Sequence, residues 1–108
     1  MNNMDFAKCV EKQLVRCENL LLTKGQEYAG NDVDRLRHFK KAASFTDNNA
    51  KQALFGMMLK HIVSIADMCE NSSRDVEKWE EKITDTINYL LLLYALVCED
   101  EGVDLDEV

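Results

Sequence analysis

The chain lacks proline altogether and has only four glycines in 108 residues. Sandwiches and barrels need many tight turns built from those two residues, so all-β architectures are disfavoured and helices are expected. Its longest apolar run is the ten residues 89–98, too short to span a bilayer. An acid at Asp5 and the want of an apolar stretch near the start argue against a secretion signal. Cys9, Cys17, Cys69 and Cys98 have no CxxC spacing and fall at apolar positions of helical patterns. They read as free, buried thiols in a reducing cytoplasm. A glycine-rich phosphate loop, HExxH and GxSxG are all absent, so serine or cysteine nucleophile chemistry is unsupported.

What is present is one domain's worth of ordinary soluble sequence, 46% apolar and 31% charged. The net charge is −7, yet six of the twenty acids sit in residues 99–108. The remaining 98 residues carry fourteen acids against thirteen bases. The acidic end reads as a frayed tail on a nearly neutral body (residues 1–98) that could hold a local cationic pocket. A duplex-binding surface would want a broad basic stripe, and none is found.

Apolar periodicity gives four helices, one shorter than the rest. Phe6, Val10, Leu14, Cys17, Leu21, Lys24 and Tyr28 mark the stripe of a helix over residues 5–29, ended at Gly30. Leu36, Phe39 and Ala43 mark a second over 34–45, with Asp32 or Asp34 as its cap. A third, over 50–70, follows the polar turn 46–49. Its main stripe is Leu54, Met57, Met58, His61, Ile65 and Met68, and Phe55, Leu59, Ile62, Val63 and Ala66 add a second apolar face. The fourth, over 74–99, carries Val76, Trp79, Ile83, Ile87, Leu90, Tyr94 and Val97 as the expected core stripe. The fold class is therefore all-α, a compact four-helix bundle with short connections. Helices apolar on two sides need two neighbours, which points to completion by oligomerisation.

Several polar residues stand where such a bundle would not put them. Lys24 lies on the apolar stripe of the first helix, one turn before Tyr28 and beside Glu27. A buried ammonium needs a carboxylate or an anionic ligand; the alternative is that Lys24 snorkels from the helix end. On the third helix Lys60, Ser64 and Asp67 share a narrow polar strip near Gly56, and His61 sits mid-stripe, as a core histidine or as a ligand group. On the fourth, Glu81, Asp85 and Asn88 form one line opposite the apolar stripe, and that line runs on into Leu92. If that side is covered, the three enter a partly buried site. Carboxylates one turn apart can share a magnesium ion, lysines can hold a phosphate, and Tyr28 can stack on a base.

The runs Lys24-Gly25-Gln26-Glu27-Tyr28-Ala29, Asp34-Arg35-Leu36-Arg37-His38-Phe39, Leu59-Lys60-His61 and Glu81-Lys82-Ile83-Thr84-Asp85-Thr86-Ile87-Asn88-Tyr89, in this order, resemble a family of short helical proteins of bacteriophages and prophages. More distantly the chain is similar to the MazG-like all-α nucleotide pyrophosphohydrolases, with Asp85 before the apolar residues 90–93 in the place of their last acidic motif. Where that motif has a glutamate three residues earlier, this chain has Lys82, with Glu81 beside it.

The resemblance implies a cytoplasmic protein of an infected or lysogenic bacterial host. It also implies a homo-oligomer and a nucleotide or other phosphorylated small molecule as ligand, with no duplex nucleic acid and no membrane. Glu27 and Asp85 would be catalytic, Mg2+ would sit on Glu27, Asp67, Glu81 and Asp85, and Lys24, Tyr28, His38, Lys60, His61 and Asn88 would bind the ligand. Two alternatives stay open: a sponge that sequesters the nucleotide signals of anti-phage immunity without cleaving them, and a structural or protein-interaction module whose polar positions are salt bridges.

Overall fold

A computed structural model describes residues 1–27 and 34–107, without the side chains of residues 24–27. The architecture is all-helical: α1 (Asn3–Glu27), α2 (Arg37–Ser44), α3 (Ala50–Glu70) and α4 (Val76–Asp100). Among the described residues no strand forms, and no helix is long and apolar enough to cross a membrane.

The α3–α4 hairpin is the base of the fold, and local sequence sets both of its ends. Asn49 and Gln52 make a capping box at the start of α3: the Asn49 side chain accepts from the Gln52 N–H and the Gln52 side chain from the Asn49 N–H, each at 2.9 Å. At its far end Ser72 takes φ +53°, and the N–H groups of Ser72 and Ser73 donate to the carbonyls of Cys69 and Met68, the pattern of a Schellman stop. Asp75 then accepts from the Lys78 N–H and opens α4. The helices run antiparallel, as the Lys51–Asp100 ion pair (3.1 Å) at the open end requires. Gly102, at φ +61°, closes α4 with the same geometry: its N–H donates to the Glu99 carbonyl and that of Val103 to the Cys98 carbonyl.

α2 begins three residues later than the sequence pattern indicates. The Asp34 side chain accepts from the Leu36 N–H at 3.0 Å and the Asp34 carbonyl from the Arg37 N–H, so the capping acid makes a turn before the helix. Gly30 and Asp32 lie outside the described residues. Leu36 and Phe39 of this segment join Leu54 and Leu96 in the core. Lys40 bridges Asp34 and Glu99, tying α2 to the end of α4. Its ammonium, together with the Leu36 N–H, holds the Asp34 carboxyl below the ordinary carboxylate range. Asp34, and then Glu99, raise the Lys40 ammonium in return.

Three expected faces are corrected. On α1 Cys17 is buried, but Phe6, Val10 and Leu14 are exposed, because among the described residues α1 packs on α4 and on no other helix. Of the cysteines, Cys9 and Cys69 are exposed. The largest reversal is on α4: Val76, Ile83, Leu90, Tyr94 and Val97 face outward, while Thr84, Asn88 and Leu96 are buried. The helix turns its more polar side to the core.

Two stability predictions follow from this geometry. A methyl group at Gly56, mid-α3, meets nothing within 4 Å, so Gly56→Ala should raise the unfolding free energy by about 1 kcal/mol, the usual alanine–glycine difference in a helix, read as a shift in urea midpoint. The second concerns pH. A lowered carboxylate stabilises above about pH 4, its ordinary value, and that contribution fades as pH falls through the lowered one. A raised ammonium stabilises below about pH 10.4, and its contribution fades as pH rises through the raised value. The stability difference between wild type and Lys40→Met should therefore be flat across neutral pH and shrink at both extremes; a difference unchanged at pH 2 would contradict the bridge.

Candidate functional site

Because the polar side of α4 faces inward, its hydrophilic groups meet the other helices. His61, on the buried stripe of α3, stands opposite Asp85 and Tyr89. Its Nδ1 is 3.7 Å from an Asp85 carboxylate oxygen, and the His61 and Tyr89 rings lie 5.2 Å apart at 42°. At 3.7 Å the imidazole and carboxylate are neighbours without a direct hydrogen bond. Both side chains are about three-quarters buried.

These groups line a cavity of about 300 Å³ where the helices meet, which Asn88, Leu92, Leu20, Leu21, Phe39 and Arg35 also line. Arg35 donates to the Leu21 carbonyl at 3.4 Å, linking the end of α1 to the chain just before α2. Among the described residues the cavity is thus walled by Leu and Phe side chains and carries one guanidinium, one imidazole, one carboxylate, one amide and one phenol.

Asn88 is the informative residue. It is 6% exposed, and its Oδ1 is sealed from solvent with no hydrogen-bond partner among the described residues. A buried polar atom left unpaired costs about 1–3 kcal/mol. Thr84, one turn away and 2% exposed, shows how the same helix face satisfies such a group, since its hydroxyl accepts from Gln13 Nε2 at 2.7 Å. Asn88 has no such neighbour.

Of the residues expected from sequence, His61, Asp85 and Asn88 come together here. Lys60, Asp67, Glu81 and His38 are exposed and do not line the cavity. Helix geometry explains the first two. At 100° per residue Lys60 is turned 100° and Asp67 about 120° from His61, away from α4. Glu81 shares the line of Asp85 but lies a turn nearer the open start of α4. Lys24, Glu27 and Tyr28 lie outside the described residues or side chains.

Among the described residues no three His, Cys, Asp or Glu side chains cluster for a metal ion, and Asp85 is the one carboxylate in the described lining of the cavity. Magnesium prefers several oxygen donors with octahedral geometry; Glu27, expected to be one of them, lies outside the described side chains. Arg35 was missed by sequence reasoning, although a cation flanking a cap acid just before a core helix is a readable signal. A wider groove runs along the other side of α1 past Lys8, Lys12, Arg16 and Asn19, but all of its described lining comes from one helix.

No family model, curated protein or solved structure matches the chain.

Replacing Asn88 by leucine, of similar volume, removes the unpaired oxygen. The Asn88→Leu chain should be more stable than wild type by about 1 kcal/mol, measured by urea denaturation. A loss of 2 kcal/mol or more would mean that the amide is satisfied by partners within the fold.

Proposed function

We propose that this protein binds a small phosphorylated nucleotide-type ligand in the cavity between α3 and α4. The convergence of Arg35, His61, Asp85, Asn88 and Tyr89 on one apolar-walled cavity carries the reading: a small bundle that gathers so many polar side chains at one place has a use for them there. These side chains supply complementary chemistry. The amide N–H of Asn88 can donate to a base or sugar oxygen. Tyr89 and His61 offer ring faces for stacking. Asp85 accepts from a ribose hydroxyl or a ring N–H, and Arg35 pairs with a phosphate through two parallel hydrogen bonds.

A volume near 300 Å³ is at the lower end of ligand sites, the size of a nucleoside body with its phosphates reaching outward. Binding is the part of the reading that the described lining supports; a magnesium seat would need carboxylates besides Asp85.

The test is calorimetric titration of the purified protein with nucleoside mono- and triphosphates and cyclic dinucleotides, with and without magnesium, followed by chromatography of the mixture after heat denaturation. A nucleotide bound and recovered intact is the expected result. Arg35→Met and Asn88→Leu should each weaken binding about tenfold or more, as the loss of one good polar contact does. Release of pyrophosphate that stops in Asp85→Asn would instead make the protein a hydrolase of the MazG-like kind. No binding across the panel would leave the polar positions as structural and end the proposal.

A further inference from the structure

The single chain exposes far more surface than its mass warrants. A folded monomer of 12.4 kDa has about 6,100 Å² of accessible surface by the usual scaling, and this chain has 8381 Å². The radius of gyration is 16.1 Å, against about 13 Å for a globular chain of this length. The surplus, about 2,200 Å², lies within the roughly 1,000–2,500 Å² that each chain of an obligate homodimer buries.

Much of this surface is organised. Val76, Ile83, Leu90 and Val97 recur at intervals of seven along the outward side of α4, with Tyr94 among them. They are 65%, 37%, 50%, 38% and 64% exposed respectively. An apolar seam held to a seven-residue period over three heptads is the pattern that a second helix packs against lengthwise. A patch of this extent rarely stays bare on a monomer.

We propose that this face of α4 is covered by the same face of a second copy, the two helices lying antiparallel. Self-pairing of one stripe is what a two-fold axis generates. Orientation follows from charge. Residues 99–107 carry six acids and no base, whereas residues 74–82, at and just before the start of α4, carry three bases (Arg74, Lys78 and Lys82) and four acids. A parallel pair would set two six-acid segments side by side; an antiparallel pair avoids that repulsion by placing each towards an end of nearly balanced charge, and it also opposes the helix dipoles. The contact lies on the side of α4 away from His61 and Asp85, so it is independent of ligand binding.

Sedimentation velocity on the full chain tests this. The wild type should sediment at twice the 12.4 kDa chain mass. Leu90→Glu should fall to the single-chain mass with its helical circular dichroism retained, and Tyr94→Lys, at a position already exposed, should repeat the effect should Leu90→Glu unfold. Ile62→Glu, on the exposed face of α3, should leave the dimer intact. With Cys9 and Cys69 changed to serine, Val97→Cys mixed with Val76→Cys should cross-link under oxidation, whereas Val97→Cys alone should not. A wild type that sediments as a single chain at every concentration would overturn the proposal. So would an assembly dispersed by Ile62→Glu but not by Leu90→Glu, or a Val97→Cys chain that cross-links to itself.

Discussion

Everything in this fold turns on which side of α4 meets α3. The helix has an apolar seam on one side and a mixed line of Thr84, Asp85, Asn88, Leu92 and Leu96 on the other, and the mixed line is the one that packs inward. Hydrophobic free energy alone would choose the seam. The buried stripe of α3 is itself mixed, however, with His61 between Met58, Ile65 and Met68. Opposed mixed stripes put His61 beside Asp85 and Tyr89, and leave a small cavity where Leu20, Leu21 and Arg35 close over them. The bare seam and the buried polar groups are two results of the same choice.

Stability and use pull against each other on this face. Thr84 is bonded to Gln13, so its burial costs little. Asn88 is not satisfied in this way. The apolar core that supports it is small, with Leu36, Phe39, Leu54 and Leu96 at its centre, so an unpaired amide is a considerable fraction of what such a domain can spare. A ligand that pairs with the amide would stabilise the fold by mass action as well as occupy the site.

The sequence was most readable where local chemistry decides the outcome. The limits of α3 follow from the polar turn that ends in Asn49 and from Asn71, both visible in the residue pattern. The start of α2 was misplaced because an aspartate can bond to a backbone N–H within a turn as readily as cap a helix, and Asp34 does the former. The period of α4 was legible but its orientation was not: a period shows that two faces exist, and the neighbour that covers one of them comes from elsewhere in the chain. The continuation of the Glu81–Asp85–Asn88 line into Leu92 was the one local sign of the inward turn. His61, Asp85 and Asn88 could therefore be picked out as candidates, while Lys60 and Asp67, singled out because they share the narrow polar strip of α3, are turned away by the helix rotation. Arg35 escaped notice because its role depends on where α1 ends relative to α2.

The central claim is that the inward polar face of α4 forms a ligand site, and nuclear magnetic resonance reads it residue by residue. In ¹⁵N-labelled protein titrated with a nucleotide panel, the side-chain amide of Asn88 and the backbone amides of Leu21, His61 and Tyr89 should shift together and saturate at one stoichiometry. Shifts confined to Lys8, Lys12 and Asn19 along the other side of α1, with the Asn88 amide unmoved, would contradict it.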